Sequence, residues 1–484
     1  MFHKTLHQAP ASGLSSVRPE YSSRPAISAT KAQVLDPRDM QIQQPSPLGQ
    51  IPLNFYTQVL LGFPLESQEI EAAVQSLNHG VQVLIRTFPF LAGQVILEGK
   101  DSTSSGIYRV VPQQHLDILR VKDCTALCPS YNEIVHAKAP GSMLNGDILT
   151  PMKGLPESHD PKNGLPVFIL QLNIVNGGAI LCSSCVHQSL DMNGQGHLLI
   201  LLAQACNNQP ISEEDVNAGN LDGASVIPLL RSDENPLEHE NFRGPSRLGP
   251  EQPTGISTAA PWTYFRFAKS SLAKFKAEAS LHLDKSTIEW ISTNDALAAF
   301  IWQRLGSARS RRFSQETSMF CDRLVNIRGR LKPPVPAGYM GHMLILDQIA
   351  LSFRQLACSS LSDIASQLRQ SLNSIDDHHI RSAATLLQNE KDKSTFQYGA
   401  NAVGDRDLTI SSWAGLQLAS VSFGFPLGQP TFVRRAIQAD CEGLAYLMPT
   451  TIDGDIDVAV SLRKDDLDVL EQDSVWRNFA ERIG

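Results

Sequence analysis

The chain has 484 residues, room for two or three domains at about 150 residues each, and 42% of them are aliphatic, aromatic or cysteine while 19% are charged. That composition excludes a charge-rich disordered protein, eight cysteines are too few for a disulfide scaffold, and no run of 18 apolar residues predicts a membrane span. Lys and Arg number 41 against 49 Asp and Glu, and the net charge of −8 argues against a nucleic-acid partner, since phosphate neutralisation needs a basic face. Residues 1–31 hold Lys4, Arg18, Arg24 and Lys31 against Glu20 alone, a balance seen in organelle transit peptides. Pro10, Pro19 and Pro25 break any amphipathic helix there, so a disordered tail on a soluble, cytoplasmic protein is expected.

Residues 67–88 place Ile70, Val74, Leu77, Val81 and Leu84 at helical spacing and stop at Phe88-Pro89. A strand opened by Gly93 is predicted over 91–96. Two apolar runs, 167–174 and 179–186, flank Asn176-Gly177-Gly178, a hairpin signal, and the second run delivers His187. An apolar helix is predicted over 196–206. Residues 207–261 are rich in Pro, Gly, Ser, Asn and acids with little periodicity, which marks a linker between domains. Beyond it, a strand is predicted at 264–267, helices at 271–280, 294–305 and 361–374, and strands at 443–448 and 457–461 around the turn Asp453-Gly454.

The most informative stretch runs from Cys185 to Gln195: Cys-Val-His-Gln-Ser-Leu-Asp-Met-Asn-Gly-Gln. A histidine directly after an apolar strand, followed by turn-forming residues, can be aimed into a cleft. Histidine titrates near neutrality and can take a proton from a hydroxyl without large tuning. Asp191 could orient the imidazole or shape the loop. By itself H-x-x-x-D also suits an ordinary hydrogen-bonded histidine at a strand end.

Four further segments change that weighting: Phe-Pro-Phe-Leu-Ala-Gly-Gln from Phe88, Ser-Thr-Asn-Asp-Ala-Leu-Ala-Ala-Phe-Ile-Trp from Ser292, Asn-Ile-Arg-Gly-Arg from Asn326, and Ser411-Ser412-Trp413 ahead of Ser422-Phe423-Gly424-Phe425-Pro426-Leu427-Gly428. In this order and spacing the chain resembles the BAHD acyltransferases, in particular the fungal branch that includes trichothecene 3-O-acetyltransferase. The resemblance spans roughly residues 34–479.

The resemblance implies an α/β fold of two similar chloramphenicol-acetyltransferase-like domains, each a mixed sheet with helices, joined by a long crossover. The expected division is a tail at 1–31, a first domain at 32–206, the crossover at 207–261 and a second domain at 262–484. A channel between the domains would admit acetyl-CoA from one side and a hydroxylated small molecule from the other. His187 would be the general base, with no permanent cofactor and no metal. Asp191 is expected to support the site through an ion pair, with Arg328 the first candidate partner and Arg330 the second. Trp413 is expected near the reacting centre. Ser411 and Ser412 are expected beside the pantetheine arm, where a donor near the thioester oxygen would stabilise the forming oxyanion. Phe423 and Gly424 match the family's D-F-G-W-G segment, with Ser422 in place of its aspartate, and are expected to support the CoA channel. Lys269 and Ser270, at a strand-to-helix passage, are expected to meet the CoA phosphates with helix N-terminal amides.

Ser292 to Asp295 also fits a helix capping box, and that reading is preferred over CoA contact. Cys182 and Cys185 have C-x-x-C spacing but face opposite sides of a strand, Asp376-Asp377-His378-His379 reads as a solvated helix face, and Asp453 to Asp457 is a hairpin turn lacking the glycine and glutamate of a calcium loop. The expected protein is a monomeric O-acetyltransferase of secondary metabolites such as terpenoids, polyketides or alkaloids. The alternatives are a condensation-type enzyme fed by a carrier protein and a non-catalytic ligand-binding relative.

Overall fold

The computed structural model describes residues 42–113, 117–244, 259–281, 283 and 285–484; the expected tail at 1–31 lies outside the described residues. In chain order the strands are β1 (Tyr56–Pro64), β2 (Gly93–Glu98), β3 (Ile107–Pro112), β4 (Leu119–Asp123), β5 (Leu165–Pro166), β6 (Phe168–Val175), β7 (Gly178–Val186), β8 (Trp262–Phe267), β9 (Ser318–Asn326), β10 (Leu344–Ser352), β11 (Leu408–Ser412), β12 (Phe432–Arg435), β13 (Leu444–Leu447), β14 (Ile456–Ser461) and β15 (Ala480–Arg482).

They form a five-stranded sheet in the order β12-β1-β7-β6-β4, a seven-stranded sheet in the order β10-β9-β11-β13-β14-β8-β15, and a small sheet β3-β2-β5. Both large sheets are mixed. In the first, β4 runs parallel to β6 while the other pairs are antiparallel; in the second, β11 runs parallel to both β9 and β13. Helices Ile70–Thr87 and Met192–Cys206 belong with the first sheet, and Lys269–Ala279, Thr293–Arg309 and Leu361–Ser374 pack beside one another on the second. This is an α/β fold built from two sheet-rich halves.

The local chemistry follows the sequence. Gly177, at φ +79°, makes the turn that joins β6 to β7, and Val175 pairs with Gly178 beside it. Every residue of β6 and of β7 is buried, the polar Gln171, Asn173, Ser183 and Ser184 included, so both faces of these strands are covered. Within β7, Cys182 joins the core on one side and Cys185 the core on the other. The helix expected over 196–206 begins four residues earlier, at Met192, because the Asp191 carboxylate caps it through the Gly194 amide at 2.8 Å.

Two features cross between the halves. Strand β12 lies late in the chain yet pairs with β1, Val59 opposite Arg435 and Gly62 opposite Phe432, so the chain returns from the second half to close the edge of the first sheet. Gly62 is required there, since a Cβ would fall 2.2 Å from the Phe432 ring. The described part of 207–261 is not a bare linker: it holds a helix at Glu213–Gly219, buries Ile227 and Phe242, and bonds Leu230 and Leu237 amides to Thr385 and Ser382 of the helix Asp377–Asn389.

Candidate active site

The end of β7 sets the position of His187. Its amide donates to the Phe55 carbonyl at 3.0 Å, and its ring meets Phe55 edge-on, with centroids 5.0 Å apart. Nδ1 faces Nδ1 of His342 at 3.2 Å, while Nε2 has no hydrogen-bond partner among the described residues. Burial pushes the His187 pKa below the ordinary histidine value, so the ring is neutral and able to accept a proton near neutral pH.

Asp191 does not reach that ring. Its carboxylate accepts from Arg328 Nη1 at 2.9 Å and Nη2 at 3.1 Å, from the Gly194 amide at 2.8 Å and from the Met343 amide at 2.8 Å. Burial alone would raise the Asp191 pKa, but the Arg328 guanidinium outweighs it and holds the carboxyl below the usual carboxylate range. Arg328 adds bonds to the Tyr339 and Gly341 carbonyls. Arg330 instead donates to the Leu372 and Ile375 carbonyls. The pair ties the first half to the second, and close packing reinforces it: a Cβ on Gly194 would lie 1.8 Å from the Met340 carbonyl oxygen.

His187 opens onto a cavity of about 450 Å³ between the two halves, whose lining also includes Ser411, Trp413, Tyr398, Arg435 and Tyr446. The segments 141–166 and 400–408 contribute Leu155, Pro156, Ser158, Ala402, Gly404 and Asp407. The Trp413 indole N–H donates to Ser411 Oγ at 3.2 Å. Ser411 therefore has its own O–H left to offer a ligand. Ser412, the next residue, does not line this cavity.

The other expected contacts lie elsewhere. Lys269 and Ser270 are exposed at the start of the helix Lys269–Ala279, where the Lys269 amide already donates to Asp455 at 2.9 Å. Phe423 is buried edge-on against Phe63, and Gly424, at φ +73°, sits against Asn207; neither lines the cavity. Ser292 and Asp295 form the capping box of Thr293–Arg309. His379 departs from a solvated helix face: its ring packs against the buried His239, with centroids 4.9 Å apart. Among the described residues, no group of three or more His, Cys, Asp or Glu could hold a metal ion, and no helix is long and apolar enough to cross a membrane.

Sequence reasoning missed His342, Tyr398 and Arg435. Gly341-His342-Met343 follows a Pro- and Gly-rich turn that carries no periodic signal, and Tyr398 and Arg435 stand in short segments that only the tertiary fold brings to the cavity.

The transferase family matches residues 148–475, and the trichothecene 3-O-acetyltransferase-like N-terminal domain matches residues 55–206. The chain belongs to this BAHD-type transferase family. Among its relatives, O-acyltransferase pigD of Monascus ruber is 38% identical over 90% of this chain and 98% of its own length. The trichothecene 3-O-acetyltransferase of Fusarium sporotrichioides is 33% identical over 95% of this chain and 100% of its own. The crystal structure of the F. sporotrichioides enzyme with coenzyme A and T-2 superposes with a TM-score of 0.85, covering 92% of this chain and 100% of that one. The chain is thus an O-acetyltransferase that uses acetyl-CoA as co-substrate.

Proposed function

We propose that this enzyme acetylates a hydroxyl of a secondary metabolite with His187 as the general base. The observation that carries the reading is the placement of His187, neutral and with Nε2 unpartnered, on the wall of a cavity faced by Ser411 and Trp413. The acceptor O–H gives its proton to His187 Nε2 as its oxygen bonds to the thioester carbonyl carbon. The carbonyl pair moves onto oxygen, where the Ser411 hydroxyl can donate. Collapse re-forms the carbonyl and breaks the C–S bond, and the leaving thiolate takes the proton from the imidazolium. Such a base contributes about 10²–10⁴-fold, with positioning supplying much of the rest.

Asp191 acts through Arg328 as architecture, not as a proton carrier. Lys269 and Ser270 would meet the CoA phosphates from the exposed helix start, with Phe423 and Gly424 bracing the channel and Ser412 continuing the strand behind Ser411. The mostly apolar cavity suits a rigid, ring-containing acceptor, and the F. graminearum relative was crystallised with coenzyme A and deoxynivalenol. The protein is read as a monomer of the cytoplasm, with domains at 32–206 and 262–484.

The test is free-thiol release from acetyl-CoA with a panel of hydroxylated terpenoids, polyketides and alkaloids that starts from deoxynivalenol. Turnover lost in His187→Ala supports the reading. Turnover only with a carrier-bound acetyl group would favour the condensation-type enzyme, and acceptor binding without turnover of any CoA ester would favour a binding protein.

A further inference from the structure

Behind His187 stands a chain of hydrogen bonds that the reaction above does not use. The Leu344 carbonyl can only accept, so the Tyr398 hydroxyl donates to it at 2.8 Å. The Tyr398 oxygen is then left to accept from Nε2–H of His342 at 2.9 Å. His342 is 0% exposed, and burial together with His187 pushes its pKa down to about 3, so it is neutral and has a single N–H. With that proton on Nε2, its Nδ1 is a bare acceptor facing Nδ1 of His187 at 3.2 Å. For a hydrogen bond between these two nitrogens His187 must hold its own proton on Nδ1, where its own backbone carbonyl also accepts, and Nε2 is then bare.

A second arrangement exists. Nδ1–H of His342 could donate to the His187 carbonyl at 3.0 Å, with Tyr398 turned to donate to Nε2. His187 Nδ1 would then be an acceptor, its proton would sit on Nε2, and the ring could not take a proton from a substrate. The two arrangements differ in which nitrogen of His342 is protonated: the first keeps the bond from Tyr398 to Leu344 and sets bare Nδ1 beside the His187 carbonyl, and the second makes that carbonyl bond and gives up the one to Leu344. Asp191 cannot do this work, because Arg328, Gly194 and Met343 occupy its oxygens. Asp191 and Arg328 are also the charged groups that act on His342, with opposite sign.

We propose that His342, backed by Tyr398, is the positioning residue that fixes His187 as its Nδ1–H tautomer, a neutral histidine in the place that an orienting carboxylate takes in a Ser-His-Asp triad. The proposal rests on the reading of His187 as the base.

The experiment is nitrogen NMR of the full chain labelled with ¹⁵N-histidine, with the His187 signals assigned by their loss in His187→Gln. In the wild-type protein His187 should show a protonated Nδ1 and a bare Nε2. Tyr398→Phe deletes one oxygen and keeps the ring, so it preserves the fold; it should move His187 toward the Nε2–H form. His342→Leu should do the same. With acetyl-CoA and water as the acceptor, the slow hydrolysis rate should fall about tenfold or more in both variants with an unchanged KM for acetyl-CoA, and His342→Gln, which restores an acceptor oxygen, should recover part of it. A wild-type His187 protonated on Nε2, or a Tyr398→Phe protein with unaltered tautomer and rate, overturns the proposal. Hydrolysis undiminished in His187→Gln would instead sink the general-base reading, and the tautomer signals would still decide what His342 does.

Discussion

Asp191 and Asp295 both stand at the first turn of a long helix, both are fully buried, and both are closed off by arginine. Asp191 caps Met192–Cys206 and is held by Arg328, which comes from the other half of the molecule. Asp295 sits in the first turn of Thr293–Arg309, accepts from the Ser292 amide and hydroxyl, and is held by Arg323 at 3.0 Å and by Arg369, all within its own half. The difference lies in what adjoins them. Asp191 lies four residues after His187, which lines the cavity, whereas neither Asp295 nor the two arginines that hold it line that cavity. Two similar acid–arginine locks thus do different work: one braces a single sheet and its helices, and the other sets the two walls of the cavity against each other.

The comparison breaks most sharply at the histidine. His187→Ala should lower turnover by about 10²–10⁴-fold while leaving the unfolding midpoint in urea nearly unchanged. Asp191→Asn on folded protein should lose much less activity than that. If it lost as much with unchanged stability, Asp191 would have to be a partner in proton transfer, and the assignment to architecture would fall.

The locks themselves come next. Arg328→Leu leaves a buried carboxylate uncompensated and should cost about 3–5 kcal/mol of unfolding free energy. Because Arg328 bridges the halves, the folded fraction should also lose turnover, since the cavity walls are no longer held in register. Asp295→Asn keeps the cap's shape but leaves Arg369 without a carboxylate, while Arg323 keeps Asp347, and should cost about 3 kcal/mol. Its folded fraction should keep wild-type turnover. Equal losses of turnover in the two variants would erase the distinction between the locks.

The same contrast explains what could be read in the sequence. Helix Ile70–Thr87, the hairpin at Asn176-Gly177 and the strand delivering His187 are local signals, written in spacing and turn chemistry within one short stretch. Strand β9 was not legible because Asp322 and Arg323 interrupt its apolar run. In the fold, Arg323 pairs with Asp347 directly across the β9–β10 register, and with Asp295, so charges that look like surface are buried. Strand β12 reads Phe-Val-Arg-Arg for the same reason, yet Arg434 is paired with Asp457 and Arg435 lies between the Trp262 and Tyr446 rings. The site divides likewise: His187 and Asp191 share one motif, while His342 and Tyr398 reach it only through tertiary contacts.

The smallest effect concerns acid stability, and it separates the histidine wall from the carboxylate locks. His342 has a folded pKa near 3, lowered by burial and by His187, against about 6.5 in an unfolded chain. A depressed histidine binds fewer protons when folded, so its contribution to stability is fully present above pH 6.5 and is lost as pH falls toward 3. At pH 5 the loss is about 2 kcal/mol, from 1.5 pH units at 1.36 kcal/mol each. Asp191, held below the carboxylate range, loses its contribution only as pH falls through and below about 4, so the Arg328 lock stays out of this window. His239, pushed to about 4 by burial with help from His379, Arg243 and His378, declines over the same interval as His342. His342→Phe removes its own contribution and keeps those of His239, His379 and His187, so its urea midpoint should fall less between pH 7 and pH 5 than that of the wild-type protein, by an amount equivalent to about 2 kcal/mol. An identical decline in the two proteins would mean that His342 takes up its proton at the same pH whether folded or unfolded. At pH 5 it would then be charged and offer no bare nitrogen to His187, and the cavity wall behind the base would carry a positive charge beside Arg328.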